Sequence, residues 1–193
     1  MIFKAVNQKT KAIQHNYYRK KFLNSHKDLR FHPRTSIFTY NTIRIGKNVF
    51  INERADFSGN ISIGNNVLIG PDVFITSGDH DYRIVGQNIS RQNRVENGPV
   101  IIDNDCWIGA KAFVTGNVHV YEGAVIGAMS VVTKDIPPYT LCLVTPCKPV
   151  KLRYTDDELR EHYRLLNKSN EEAEKIILKR RSMLAEKGLE SLL

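Results

Sequence analysis

An apolar residue returns every six positions along two long stretches of this chain. Ile45, Ile51, Phe57, Ile63, Ile69 and Ile75 fall in one register, and Ile102, Ile108, Val114, Val120, Ile126 and Val132 fall in a second. With 41% of the residues hydrophobic, twelve apolar positions in preset registers arise by chance on the order of 10⁻⁵ of the time, so the period reflects structure. Four residues after each aliphatic the side chain is small or apolar, from Val49, Ala55, Ile61, Val67 and Val73 to Cys106, Ala112, Val118, Ala124, Ser130 and Ile136. Gly46, Gly64, Gly70, Gly109 and Gly127 follow the aliphatic directly, and Asn48 and Asn66 stand three after it. Both residue types tolerate positive φ, so both positions are expected at tight corners.

A period of six is neither helical nor that of an ordinary alternating strand. A short strand followed by a corner meets it, three such units closing one triangular coil with the aliphatics stacked along the axis. Twelve hexads predict about four coils, roughly 19 Å tall at the usual strand spacing. The expected fold is therefore an all-β solenoid, a parallel β-helix whose end coils need capping because they leave strand edges unpaired.

Ile75 and Ile102 are out of phase, so residues 76–101 are predicted to leave the prism as an extruded loop. Long loops of this kind in compact domains often carry function. The chain then divides into an N-terminal basic cap (1–42), the β-helix with its loop (43–137) and a C-terminal turn with helices (138–193). The first 34 residues are expected to be helical or irregular and loosely packed. Past Pro137-Pro138, Thr155 with Glu158 and Ser169 with Glu172 read as capping boxes opening two helices. Ala173, Ile176, Ile177 and Leu184 form an apolar stripe on the second. That stripe is expected to pack on the prism or on a neighbouring subunit, with peripheral membrane contact through the basic ends as the alternative.

Composition narrows the function classes. No apolar run reaches the roughly 18 residues that a spanning helix needs, and Lys and His interrupt residues 1–23 where a signal peptide would be apolar, so a cytoplasmic location is expected. Cys106, Cys142 and Cys147 have neither disulfide-framework nor paired zinc-site spacing and read as reduced thiols. The net charge is +8, and it is segregated: nine Lys or Arg lie between Lys4 and Arg34 against one acid, Asp28. A second basic cluster follows Lys148. With no aromatic-interleaved basic stripe and no helix-turn-helix pattern, this favours phosphate groups over nucleic acid as partners.

The repeat, Ile-Gly-x-x-Val-x in particular, resembles that of the hexapeptide-repeat acyltransferases, and the resemblance covers roughly residues 43–153. It implies a left-handed β-helix, against the usual crossover rule, and a homotrimer with active sites between adjacent prisms. The run Gly78-Asp79-His80-Asp81-Tyr82 resembles the loop of sugar O-acetyltransferases of the galactoside, maltose and colanic-acid type, in which the catalytic histidine lies five residues after the last aliphatic of the first block. By that resemblance His80 is the general base. It would take the proton of a sugar hydroxyl as the oxygen attacks the thioester of acetyl-CoA, then return it to the coenzyme A thiolate. Asp79, Asp81 or a backbone carbonyl is expected to orient the imidazole. Asn52 matches the asparagine that the galactoside enzymes use at the acceptor hydroxyl, with a role in orienting the acceptor or stabilising the oxyanion.

Coenzyme A is expected along the second block, since residues 106–110 and 126–137 are similar to the family signature. The resemblance gives Ala110 and Ala128 backbone contacts to the pantetheine arm, places Thr133 and Lys134 farther out, and matches Lys148 and Lys151 to basic residues near the 3′-phosphate. Trp107, one residue before an inward aliphatic, should face outward at the cleft. Two departures stand out: Val144 occupies the place of a glycine before the Pro146-Cys147 turn, and the long N-terminal domain of the maltose-type enzymes is missing. The expected acceptor is a sugar of a surface polysaccharide, a lipopolysaccharide unit or its precursor; serine, an amino sugar and an antibiotic are alternatives. No metal is expected, because the zinc-dependent carbonic anhydrases on this prism need three histidines and only His80 and His119 lie in or beside the coils. A non-catalytic β-helix binding module is the remaining alternative.

Overall fold

The computed structural model describes residues 2–193. Three parallel sheets of five, six and five strands form the faces of a triangular prism. The first face carries Ile43–Ile45, Ile61–Ile63, Val100–Ile102 and Val118–Val120. Phe50–Ile51, Leu68–Ile69, Trp107–Ile108 and Val125–Ile126 make the second. The third holds Asp56–Ser58, Phe74–Thr76, Phe113–Val114 and Val131–Val132. Ile43 pairs with Ile61 and Val100 with Val118, a rise of one coil per three hexads. These four coils are the predicted solenoid, and all twelve ladder residues are at most 4% exposed. Each contributes on the order of 2 kcal/mol by leaving water.

The corners differ from expectation. The left-handed residues are those three after the aliphatic, among them Asn48 (φ 52°), Arg54 (56°), Asn66 (59°), Asp105 (58°), Lys111 (59°) and Met129 (62°). The glycines directly after the aliphatic are not in that region. They are small because successive coils touch there: a Cβ on Gly70 would stand 2.7 Å from the Ala110 nitrogen, and one on Gly109 2.6 Å from the Ala128 nitrogen. Side-chain amides also join neighbouring corners, Asn48 Nδ2 donating to Asn66 Oδ1 at 3.0 Å.

The segment expected as a loose cap is packed and partly in the ladder. Helix α1 (Ile2–Arg19) leads into Asn24–Ser25, Arg30 and Ile37–Phe38, which pair with the first coil and add one incomplete rung. Phe22, Phe31 and Phe38 are buried and meet edge to face at centroid distances of 5.3–5.9 Å. They close the open end of the core with rings where a loop would leave strand edges exposed.

At the other end an antiparallel hairpin, Thr140–Leu143 with Lys148–Leu152, extends the second face. Helices α2 (Asp156–Leu165) and α3 (Asn170–Glu186) follow, each opened by its predicted capping box. Ala173, Ile177 and Leu184 are buried, so the stripe packs within the chain. Glu122 of the last coil accepts hydrogen bonds from Tyr163 Oη at 3.1 Å and Lys168 Nζ at 2.9 Å, fastening α2 to the prism. Arg180 of α3 is fully buried; it donates to the Tyr154 carbonyl at 2.8 Å and pairs with Asp156. No helix is long and apolar enough to cross a membrane among the described residues.

Candidate functional site

Between Thr76 and Val100 the chain makes its one large excursion from the coil path among the described residues. Residues Gly78–His80 and Arg94–Glu96 pair antiparallel, with His80 opposite Arg94, so the excursion is a hairpin arm. Its foot is tightly built. Ser77 is 3% exposed, and its hydroxyl accepts from the Asn60 amide at 2.6 Å. Thr76 Oγ1 donates to the Gly78 carbonyl at 2.9 Å. Farther out, the Gln92 side chain donates to the Gln87 carbonyl at 2.9 Å and accepts from the Ile84 amide at 3.2 Å, which stiffens the tip. His80 therefore stands on a braced strand close to the prism.

The imidazole is exposed and borders a cavity of about 250 Å³ with Asp79, Asp81, Tyr82, Arg83, Val95 and Asn97. Neither flanking carboxylate meets the ring. Asp79 Oδ1 accepts from the His80 backbone amide at 2.8 Å. Asp81 Oδ1 takes the Arg83 amide at 3.0 Å and its Nε at 3.1 Å, and that guanidinium lowers the Asp81 pKa. Asp81 thus stays ionised beside the histidine while holding the arm's turn. Asn97, on the returning strand's side of the cavity, has no motif of its own in the sequence; only its place at the opposite foot of the loop points to it.

Asn52 lies elsewhere. It follows the second-face strand Phe50–Ile51, and its Oδ1 accepts from the Glu53 amide at 2.8 Å. The same edge, between the second and third faces, carries Ala110 and Ala128. Stacking brings these two together, the Met129 amide donating to the Ala110 carbonyl at 2.9 Å. The Ala110 and Ala128 amides themselves donate to no other backbone group among the described residues. Trp107 is 53% exposed, facing outward as its register requires. With Leu68, Asp105, Lys151 and Arg153 it lines a groove of about 500 Å³ on the second face.

Thr133, Lys134 and Lys148 meet in a third cavity of about 510 Å³, joined by Cys147 and by Lys187 from the C-terminal end. The Cys147 thiol is held below its ordinary pKa chiefly by a hydrogen bond with Cys142. Lys187 and Arg153 are missing from the sequence reading, because tertiary docking of the C-terminal segment alone brings them to these cavities. The set thus divides within one chain: His80 and Thr133 leave the edge between the third and first faces, Asn52, Ala110 and Ala128 stand on the next edge, and Trp107 lies on the second face. Among the described residues no group of histidines, cysteines and carboxylates is arranged to hold a metal.

Comparisons with known proteins follow the same lines. Residues 42–77 match the family described as bacterial transferase hexapeptide (six repeats). The galactoside O-acetyltransferase of Escherichia coli (strain K12) is 32% identical over 129 residues, which cover 65% of this chain and 61% of that protein. Among solved structures, the maltose O-acetyltransferase from Clostridium difficile 630 is 31% identical with a TM-score of 0.67, the match covering 73% of this chain and 75% of that one. A hexapeptide-repeat acetyltransferase from Vibrio cholerae O1 biovar eltor, complexed with acetyl coenzyme A, is 28% identical with a TM-score of 0.67 over 75% and 79% of the two chains. The chain spans about half to three fifths of the length of the curated relatives it matches.

Proposed function

Because this chain belongs to the hexapeptide-repeat acyltransferase family, with its left-handed β-helix, we propose that it transfers an acetyl group from acetyl-CoA to a sugar hydroxyl. The observation that carries this reading is His80: an exposed imidazole without a side-chain hydrogen bond among the described residues, on a braced strand, beside a cavity open to an acceptor. A sugar hydroxyl is a poor nucleophile at neutral pH, and a neutral imidazole within reach removes its proton as the C–O bond forms. The thioester C–S bond then breaks, and the imidazolium returns the proton to the departing thiolate. No covalent enzyme intermediate is required.

The donor is held by this chain's own groups. The amides of Ala110 and Ala128 suit the carbonyls of a pantetheine arm, and Gly109 lets the two coils that carry them stack closely. Lys134, Lys148 and Lys187 offer point charges to phosphate, and Trp107 walls the second-face groove. Asn52 suits the oxyanion or the acceptor, since its Oδ1 is engaged by the Glu53 amide and its amide nitrogen remains a donor.

The division of these groups over two edges of one prism supports a site completed by a second copy, in the homotrimer that a closed three-fold assembly would form. Relatives named for galactoside and maltose acetylation favour a saccharide acceptor, with a surface polysaccharide or lipopolysaccharide precursor as its source in the cytoplasm. The test is thiol release from acetyl-CoA against a panel of sugars and nucleotide sugars, with serine, an amino sugar and chloramphenicol included. Saccharide-dependent release is the expected result. Release only with serine or the antibiotic would move the acceptor, and none with any acceptor would leave a binding module.

A further inference from the structure

We propose that the cleft between α1 and residues 31–35 is a binding site for a phosphoryl group, a proposal that stands independently of the acyl-transfer reading. The charge distribution comes first. Of the chain's 28 Lys and Arg residues nine lie between Lys4 and Arg34, against one of its 20 acids, so the remaining chain carries 19 of each. The whole formal excess of +8 therefore sits on the N-terminal segment, and the rest of the molecule is neutral. A net charge so localised favours anions at this end of the molecule.

The fold turns this segment into a cleft. His15 of α1 packs against Phe31 at a centroid distance of 4.6 Å, and Arg34 Nε donates to Gln14 Oε1 at 2.7 Å. The opening that remains, about 570 Å³, is lined by Lys11, Gln14, His15, His32, Arg34 and Thr35 with apolar neighbours, and no carboxylate is among its walls. The nearest acid, Glu53, is 3.9 Å from His32 Nδ1. Lys11 and Arg34 form no ion pair among the described residues, and Arg34 spends only its Nε on the Gln14 hydrogen bond among them. Burial first, then Arg19 and His32, push the His15 imidazole below its ordinary pKa. Two unpaired cations and two imidazoles converge from different sides. A tetrahedral dianion, with acceptor oxygens directed to several sides, meets such donors better than a carboxylate, whose acceptor sites lie in one plane.

Phosphate of this kind comes from a lipid headgroup or from a soluble phosphate ester. The exposed Ile13 and Tyr17 lie on α1 beside the cleft, where a membrane surface would reach them. The full chain is titrated with inorganic phosphate while the His15 and His32 imidazole resonances are followed, and its retention is measured on phosphatidylcholine vesicles with and without phosphatidylglycerol. Saturable phosphate binding that raises the His15 pKa is the expected result. Lys11→Ala with Arg34→Ala weakens it about tenfold or more, and Lys11→Gln alone, which breaks no ion pair among the described residues, shifts it in the same direction. Arg164→Ala with Lys175→Ala removes the same charge from the C-terminal helices and leaves it unchanged. Retention on anionic vesicles as well assigns the site to a headgroup; binding in solution without retention assigns it to a soluble ester, and either outcome supports the site. Absence of saturable binding to both probes, or equal loss in both double variants, overturns it.

Discussion

Replacing Gly109 by alanine tests how closely the coils are stacked. The new methyl carbon would lie 2.6 Å from the Ala128 nitrogen, 2.7 Å from the Ile126 oxygen and 2.8 Å from the Gly127 carbonyl carbon, all backbone of the next coil. Restoring an ordinary contact near 3.4 Å requires the two coils to part locally by about 0.8 Å, which stretches the Gly109 amide to Ile126 carbonyl bond from 2.8 Å beyond hydrogen-bond reach. Losing one or two such bonds and forcing the backbone costs about 2–3 kcal/mol. Glycine-to-alanine replacement lowers the entropy of the unfolded chain, which returns about 0.4–1 kcal/mol. The net loss of about 2 kcal/mol lowers Tm by roughly 4–8 °C for a chain of this size. Gly78→Ala is the control, since its nearest neighbour, the Val95 oxygen, is at 3.4 Å, and it should leave Tm within about 2 °C. Thermal unfolding at equal protomer concentration separates the two variants. A Tm for Gly109→Ala equal to or above that of Gly78→Ala would refute the stacking argument.

Val144 occupies the left-handed region at φ 71°, costly for a β-branched side chain, and it is 59% exposed. Val144→Gly should therefore gain about 1 kcal/mol, read as a higher denaturant midpoint with unchanged slope. Asp156→Ala leaves the buried Arg180 uncompensated and should cost about 3–5 kcal/mol, whereas Arg180→Met removes the charge with it and costs less; chemical denaturation of both variants checks the order. Burial chiefly depresses the pKa of both His15 and His162, so the unfolded chain binds their protons first. Stability should fall as pH drops below their ordinary value of 6.5 and stop falling on their account below the folded values; unfolding free energy measured across that range, with His162→Phe removing part of the slope, tests the sign.

The prism was legible because three hexads make one coil of 18 residues, so Ile43, Ile61 and their successors repeat without slippage through each block. The rung before it was not. Asn24 pairs with Arg44, Arg30 with Phe50 and Phe38 with Phe57, offsets of 20, 20 and 19, and a six-residue frame passes over such spacing. Gly70 and Gly109 were legible as special positions but for the wrong reason, since close backbone approach and positive φ both select glycine and sequence alone does not separate them. At the site, the place of His80 followed from the phase break between Ile75 and Ile102. The engagement of Asp79 and Asp81 with backbone and Arg83 did not, because a side chain's choice among neighbours one to three residues away is set by the arm's pairing. Handedness lies outside the spacing altogether and rests on the family.

The central claim is that His80 acts as the base of acetyl transfer, and turnover of His80→Ala tests it most directly. With the saccharide acceptor identified by thiol release, the variant should keep the wild-type Tm and coenzyme A affinity, because the side chain is exposed and forms no hydrogen bond or ion pair among the described residues, yet lose about 10² to 10⁴ in kcat. Undiminished turnover in that folded variant would contradict the account.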